Sequence, residues 1–435
     1  MGSEKDIVAK SNEAKIVRKL QIRILPFLFL LYVVAFLDRI NIGFAALAMN
    51  KELAITSQQF GLLSGIFFLG YFLFEIPSNL LLHKIGARIW IARILVSWGI
   101  VATLTGFVQS VPQLNIVRFL LGLAEAGFFP GIVLYLTYWF RRREQAQAIA
   151  VFMTAIPVTS ILGAPVSGLI LDHVQWLGIS SWRWLLILEG IPAIGCGILT
   201  YFVLTNRPGE ARFLTQAEKD WIGAELTWEE HQKLAEHEIS AIQALANRRV
   251  WHLTCIGFLF DVGIYPVIFW MPQMVKSLSR GYSNTAVGFL VMIPYLVALV
   301  AMVIVSRSSD RRLERRYHAA IPMIAGGIAL LLLGTTSFPF FAIALLSCAV
   351  AGCFSLYGPF FSLPSEFLTG FSAASGIALI NSVTNLGGFV GLYAFGAVSQ
   401  RTGSLYCGLA LAGVSLFVSA TLLLFLPKKG RSPAR

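Results

Sequence analysis

The chain has 435 residues, of which 57% are hydrophobic and only 13% charged, and its mean hydropathy is +0.73. A soluble protein of this length needs far more Lys, Glu and Asp on its surface, so the composition points to a polytopic membrane protein. The net charge of +12 does not mark a nucleic-acid partner, because the basic residues sit in short clusters between apolar runs and never form one face.

Residues 1–23 are polar and basic and read as a cytoplasmic tail. The apolar run behind them is too long for a secretory core and lacks a small-residue cleavage site, so it reads as a retained first helix. Windows of about 20 apolar residues predict spans near 24–49, 60–83, 89–109, 112–139, 146–171 and 184–204. They resume near 250–275, 285–306, 318–337, 339–365, 371–398 and 404–426. The expectation is therefore an all-α membrane protein with 12 transmembrane helices, in bundles 24–204 and 250–426, and a short tail at 427–435. Of the 34 Lys and Arg, five fall outside (Lys51, Arg183, Lys276, Arg280, Arg401) and two lie within helices (Arg39, Arg118). The remaining 27 are cytoplasmic if both termini are inside, which sets the orientation as N-in, C-in.

The polar stretch 205–249 separates the bundles and reads as a cytoplasmic linker. Asn206-Arg207-Pro208-Gly209 is a turn signal, and Thr215-Gln216-Ala217-Glu218 fits a capping box that opens an amphipathic helix. His231 and His237 in this linker are solvated, with no HExxH pattern beside them. The five cysteines (Cys196, Cys255, Cys348, Cys353, Cys407) lie in apolar stretches without CxxC spacing, so neither a disulfide framework nor a metal site is indicated.

The bundles repeat each other. Gly61-Leu62-Leu63 opens the second span and Gly288-Phe289-Leu290 the eighth. Equal offsets from the two glycines lead to His83 and Asp310, Lys84 and Arg311, and Arg88 and Arg315. A parallel repeat of two six-helix units is the plan of a transporter with its site near the midplane.

The loop SDRRLERR (309–316) resembles the signature of the major facilitator superfamily, found between the second and third helices of each half. Its first-half copy, LLHKIGAR (81–88), carries His83 where an acidic residue is usual. The resemblance makes His83, Arg88, Asp310, Arg311 and Arg315 the inward-gate residues. FLDRINIGFAAL (36–47), GYFLFEIPSNLLL (70–82), RFLLGLAEAGFFPG (118–131), SWRWLLILEGIPA (181–193) and INSVTNLGGFVG (380–391) resemble the anion:cation symporter family more specifically. The branch is that of tartrate, phthalate, nicotinate and related carboxylates, and the resemblance runs from about residue 18 to 427.

The central polar set is Asp38 and Arg39 in the first span with Arg118 and Glu125 in the fourth. One charge at the centre of a membrane helix costs roughly 2.5–3.5 kcal/mol, so adjacent charges need partners or a purpose. Arg118 and Glu125 lie on one face but about 10 Å apart along the axis, so each should meet another helix. In the superfamily the first helix lines the cavity beside the fourth, which makes Asp38 and Arg39 the expected partners. An anionic substrate needs a cation at the midplane, and a guanidinium clamps a carboxylate through two hydrogen bonds. From the residues alone, either arginine serves as that clamp. The resemblance implies proton coupling at Asp38 and Glu125, substrate contact at Arg39, and an Arg118 that tunes or pairs with Glu125.

Tyr71 either offers its hydroxyl to substrate or packs. Asn381 and Asn385 share one face of the eleventh span, and the resemblance implies that Asn385 faces substrate. Glu75 and Glu189 lie toward helix ends and read as structural, whereas Asp261 is either a third titratable site or a partner for a backbone amine. Where some family members carry a glutamine in the fifth helix, this chain has Ile156 and Pro157, with Thr154, Thr159 and Ser160 nearby. A substrate poorer in hydroxyls, or a different pose, is the expectation. Pro157, Pro165, Pro294 and Pro364 should kink their helices.

These readings converge on a proton-coupled symporter for a small organic anion in a bacterial inner membrane, embedded in lipid and acting as a monomer. Protons are the coupling ion, and no cofactor or metal is implied. An exchanger or exporter is the rival within the class, and a non-transporting membrane receptor the rival outside it. No nucleophile–base pair stands out, so an enzyme is not expected.

Overall fold

A computed structural model of the chain describes residues 2–235, 247–279, 281–336, 338–363 and 370–426. Pro364, His237, Arg280 and the 427–435 tail lie outside the described residues. All regular elements within them are helical, and eleven helical segments are long and apolar enough to cross a membrane. In chain order the first bundle supplies α1 (Gly2–Glu52), α2 (Ser57–Ile85), α3 (Ala87–Thr105), α4 (Val111–Glu125), α5 (Phe128–Thr137), α6 (Arg142–Met153), α7 (Ala155–His173) and α8 (Ser181–Val203). The linker helix is α9 (Gln216–Ala235). Then come α10 (Arg248–Ser277), α11 (Asn284–Arg312), α12 (Arg316–Leu333), α13 (Pro339–Phe354), α14 (Tyr357–Ser362), α15 (Gly370–Thr402) and α16 (Leu405–Leu424). The eleventh predicted span, 371–398, falls within α15.

Three predicted spans are broken where one helix was expected. The fourth splits between α4 and α5 directly after Glu125, at Gly127, whose φ of +85° is the left-handed conformation that suits glycine. Pro130 cannot donate a helical hydrogen bond back to Ala126, which favours a new start there. The fifth splits at Thr154, which ends α6 and begins α7, three residues before Pro157. The tenth splits at Ser355–Leu356, just before Pro359 in α14. Apolar periodicity is continuous across each break, so hydropathy alone reads through it.

The chain forms two compact units. One gathers Met1–Ile55, Ile66–His237 and Tyr282–Met292, and the other Thr56–Gly65, Glu238–Gly281 and Ile293–Arg435. In the first unit Asp172, near the end of α7, caps α11. It accepts from the backbone N–H of Asn284 (3.2 Å) and Thr285 (2.7 Å) and from Asn284 Nδ2 (2.8 Å). In the second, the repeat-related start of α2 packs on α15: Ser57 N–H donates to Gln400 at 3.2 Å and Gln58 to the Tyr393 hydroxyl at 3.1 Å.

Around the first bundle, polar ties hold the helix ends. Glu52 accepts from Trp182 Nε1 (2.8 Å), Arg183 (3.2 Å) and Ser180 (2.5 Å), while Arg183 also donates to the Gly106 carbonyl at 3.1 Å. This explains the SWRW motif as a tie between α1, α8 and the end of α3. On the linker side the capping box forms as expected: Thr215 N–H donates to Glu218 at 2.7 Å, and Glu218 N–H to the Thr215 hydroxyl at 3.4 Å. Lys19 of α1 also bonds Glu218 at 2.7 Å, and its ammonium, with the Thr215 N–H, holds this carboxyl below its usual range. Arg141 joins Glu13 (2.5 Å), Glu144 (2.8 Å) and Glu225 (2.9 Å), fastening α9 to the bundle.

The close approach of α2 and α4 sets the position of the central charges. A Cβ on Gly122 would run into the Phe67 carbonyl and come within 2.9 Å of the Tyr71 nitrogen, and Gly70 abuts the Phe119 carbonyl in the same way. Gly122→Ala should therefore lower stability by about 1–3 kcal/mol through overpacking, read as a lower thermal midpoint in detergent. Gly195→Ala, where no atom lies within 4 Å, should leave the midpoint unchanged. Equal midpoints for both variants would contradict the packing.

Candidate functional site

Four helices of the first unit bring the predicted central charges together. Asp38 and Arg39 are adjacent on α1, so helical geometry turns them about 100° apart and gives them different neighbours. Arg39 reaches α4 and forms an ion pair with Glu125, whose side chain is 3% exposed against 11% for the arginine. Its guanidinium also lies over three rings of α2: Phe67 at 5.2 Å, Tyr71 at 5.7 Å and Phe68 at 6.0 Å.

Asp38 turns away from the arginines toward α3. Trp98 Nε1 donates to its Oδ2 at 2.6 Å, and Asn41 Nδ2 approaches its Oδ1 at 3.5 Å, with all three side chains buried. Sequence reasoning missed Trp98 and Asn41. Asn41 was discoverable as the amide one turn along from Asp38, but nothing in the α3 pattern sets Trp98 apart from a packing tryptophan.

Arg118, seven residues and about two turns before Glu125 on α4, is only 1% exposed. It stands over the other side of the aromatic group, 5.3 Å from the Phe67 centroid. Its Nε and Nη2 have no hydrogen-bond partner, and Glu125 and Asp38 act on it only through space. Of the partners expected from the first helix, Arg39 takes Glu125, while Arg118 pairs with neither carboxylate. The seven-residue spacing holds Arg118 too far along the helix, and Arg39 is presented level with the carboxylate. Buried donors left unsatisfied cost about 1–3 kcal/mol each, so this guanidinium is a ready seat for an anion.

Tyr71 is buried beneath Arg39. Glu75, also on α2, is buried, and so is Glu189. Glu189 is the ninth of the 23 residues of α8 and so lies well inside the helix, not toward its end. It accepts from Ser167 of α7 at 2.8 Å. Thr159 and Ser160 bond carbonyls of their own helix, at 2.7 Å to Ala155 and 3.3 Å to Ile156.

In the second unit Asn381 and Asn385 share a face of α15, and Asn385 Nδ2 donates to the Asn381 carbonyl at 3.0 Å. Asp261 is buried within α10. The loop after α11 closes on itself: Arg315 pairs with Asp310 and bonds the Ser309 hydroxyl at 3.1 Å, while Arg311 is exposed. Glu314 caps α12. Although partial burial opposes its charge, the N–H groups of Tyr317 (2.8 Å) and His318 (3.1 Å) hold its carboxyl below the usual range. In the degenerate first-half loop, His83 meets the Tyr138 hydroxyl at 3.4 Å, and Arg88 donates to the Tyr201 carbonyl at 2.6 Å. Among the described residues no cluster of His, Cys, Asp or Glu is able to hold a metal ion.

Long apolar helices surround two arginines and two carboxylates of low exposure, the make-up of a multi-pass membrane protein. The sequence profile of the Major Facilitator Superfamily matches residues 28–392, and the chain belongs to that superfamily. An Agrobacterium vitis protein described as "Putative tartrate transporter" is 44% identical over 98% of this chain and 94% of its own. An Acinetobacter baumannii protein described as "Quinolone resistance transporter" is 35% identical over 94% of each chain. The partially occluded, inward-open xylose transporter XylE from E. coli superposes with a TM-score of 0.75. It covers 95% of this chain and 100% of that one at 17% identity, a likeness of fold.

If Arg39 and Glu125 form a buried pair, truncating either to alanine should cost about 3–5 kcal/mol. The double variant should lose much less than the sum, measured as unfolding in mixed micelles. Additive losses would dissolve the pair.

Proposed function

We propose that the chain imports a small organic carboxylate together with protons, as a symporter working by alternating access. In this reading twelve helices span the membrane, both termini face the cytoplasm, and the monomer is the working unit. The reading rests on one observation: Arg39 is neutralised by Glu125, while Arg118 beside it keeps two unpartnered donors. The similarity to the Agrobacterium vitis protein supports a carboxylate such as tartrate as the cargo.

The chemistry follows from charge balance. With Asp38 and Glu125 ionised, the four groups sum to zero, and an arriving anion meets a carboxylate already on Arg39. A proton on Glu125 removes that competitor and leaves a buried guanidinium uncompensated, which an anion then neutralises through two parallel hydrogen bonds. Arg118 supplies the second cation, and Tyr71 is a further contact. Asp38 is the second proton site. Two protons with a dianion make a neutral load. Two protons with a monoanion carry one positive charge, worth about 2.3 kcal/mol per 100 mV of membrane potential.

The Acinetobacter baumannii protein, described as a quinolone resistance transporter, supports a second reading, in which the chain exports an organic acid. Direction of accumulation in proteoliposomes separates the two.

A thermal-shift screen against tartrate, aldonates, hexuronates, phthalate, nicotinate and hydroxyphenylacetate should find a stabilising carboxylate, and neutral analogues should not stabilise. Asp38→Asn and Glu125→Gln should abolish uptake driven by a proton gradient while keeping binding or exchange. Arg39→Ala and Arg118→Ala should lose anion binding. Wild-type uptake by Arg39→Ala would sink the mechanism.

A further inference from the structure

Glu189 takes no part in the scheme above, yet it is buried in the same helix bundle, 3% exposed. Its Oε1 accepts from the Ser167 hydroxyl, and the Asn41 side chain is within hydrogen-bonding reach of its carboxyl. No Lys or Arg among the described residues pairs with it. Two oxygens in this small cluster lack any partner: Glu189 Oε2 and Asn41 Oδ1. Both are acceptors when the carboxyl is ionised, so neither is able to satisfy the other. One proton on Glu189 Oε2 turns it into a donor, for which Asn41 Oδ1 is the unpartnered acceptor of the cluster.

The surroundings favour that proton. α8 packs against α1, α3 and α7. From α1 the facing groups are Asn41 and Asp38, the latter of like sign. From α7 comes the neutral Ser167, while Asp172 is committed to the start of α11. From α3 the neighbours at Gly190 are Thr103 and Ala102. On α8 itself, Arg183 is engaged by Glu52 at the helix start. An unpaired carboxylate buried in such a place is costly, and neutralisation is the ordinary remedy.

We infer that Glu189 is a resident proton-binding site, held as the neutral acid, and that it positions Asp38 through Asn41. With Glu189 Oε2 donating to Asn41 Oδ1, the amide is locked with its Nδ2 toward Asp38, whose other oxygen is held by Trp98. Ser167, Glu189, Asn41, Asp38 and Trp98 then form one chain of hydrogen bonds from α7 across α1 to α3. Glu189 is thus a positioning residue for the proton site assigned to Asp38, and that half of the inference rests on the proposed transport reading.

Infrared spectroscopy of the purified full-length protein in detergent tests both halves without a substrate. Near neutral pH, the wild type should show a carboxylic-acid carbonyl band, shifted in D2O, that disappears in Glu189→Gln. Absence of any such difference overturns the inference. The titration of Asp38, isolated at each pH as the difference between a protein and its Asp38→Asn counterpart, provides the second readout. In Glu189→Leu, which keeps bulk but loses the donor, the midpoint should move by about one pH unit. In Glu189→Gln, whose amide still donates to Asn41, it should stay. A merely structural Glu189 would leave the Asp38 midpoint unmoved in every variant that melts cooperatively, and that result overturns the positioning role. If Asp38→Asn retains proton-driven uptake, the transport reading fails while the Glu189 band stands. If the band is missing, this inference fails and the transport reading is untouched.

Discussion

The ion pair between Arg39 and Glu125 is the interaction on which the rest of the first unit depends. Neither charge is tolerable alone at this depth, and desolvating both is offset only by close geometry and further satisfied donors. The glycine contacts between α2 and α4 and the break after Glu125 at Gly127 serve that geometry. So do the aromatic rings of Phe67, Phe68 and Tyr71, which exclude water from the guanidinium and accept its charge on their faces. In the proposed cycle, an anion that reproduces the carboxylate's two oxygens takes Glu125's place once Glu125 is neutral.

Adjacent residues on one helix acquire different tasks because the helix points them to different neighbours. Arg39 looks to α4 and its carboxylate. Asp38 looks to α3, where Trp98 donates to it, with Asn41 of its own helix beside it. The two carboxylates of the central set therefore sit in separate surroundings, one facing a cation and one facing neutral donors. Under the proposed proton coupling, environments so different would let two carboxyls of similar intrinsic acidity bind protons at different stages of the cycle.

Much of this was legible in the sequence, for identifiable reasons. Charges within apolar runs are conspicuous because lipid tolerates so few, and Asp38, Arg39, Arg118 and Glu125 stood out on that ground alone. The Thr215–Glu218 capping box was legible because its hydrogen bonds are local. What the sequence concealed is partner choice across helices. Spacing along α4, with the resemblance, named Asp38 and Arg39 as partners for Arg118 and Glu125, but did not show that Arg39 takes Glu125 while Arg118 keeps unpartnered donors. The breaks at Gly127, Thr154 and Ser355 were hidden because hydropathy stays continuous through them. Glu189 read as a helix-end residue although it lies inside α8, because the predicted span began at residue 184 and the helix begins at Ser181. Trp98 gave no signal, since one indole donor among many buried tryptophans becomes meaningful only when its acceptor is known.

The central claim is that a proton on the carboxylate and an anion on the arginine bind together. The most direct measurement is proton uptake on anion binding, recorded with the purified protein in weakly buffered detergent while a stabilising carboxylate such as tartrate is added. The account predicts that the medium turns alkaline in proportion to bound anion, and that Glu125→Gln, already neutral at that position, binds the anion with a reduced proton uptake. Saturable anion binding with no proton taken up, in the wild type as in the variant, would contradict it.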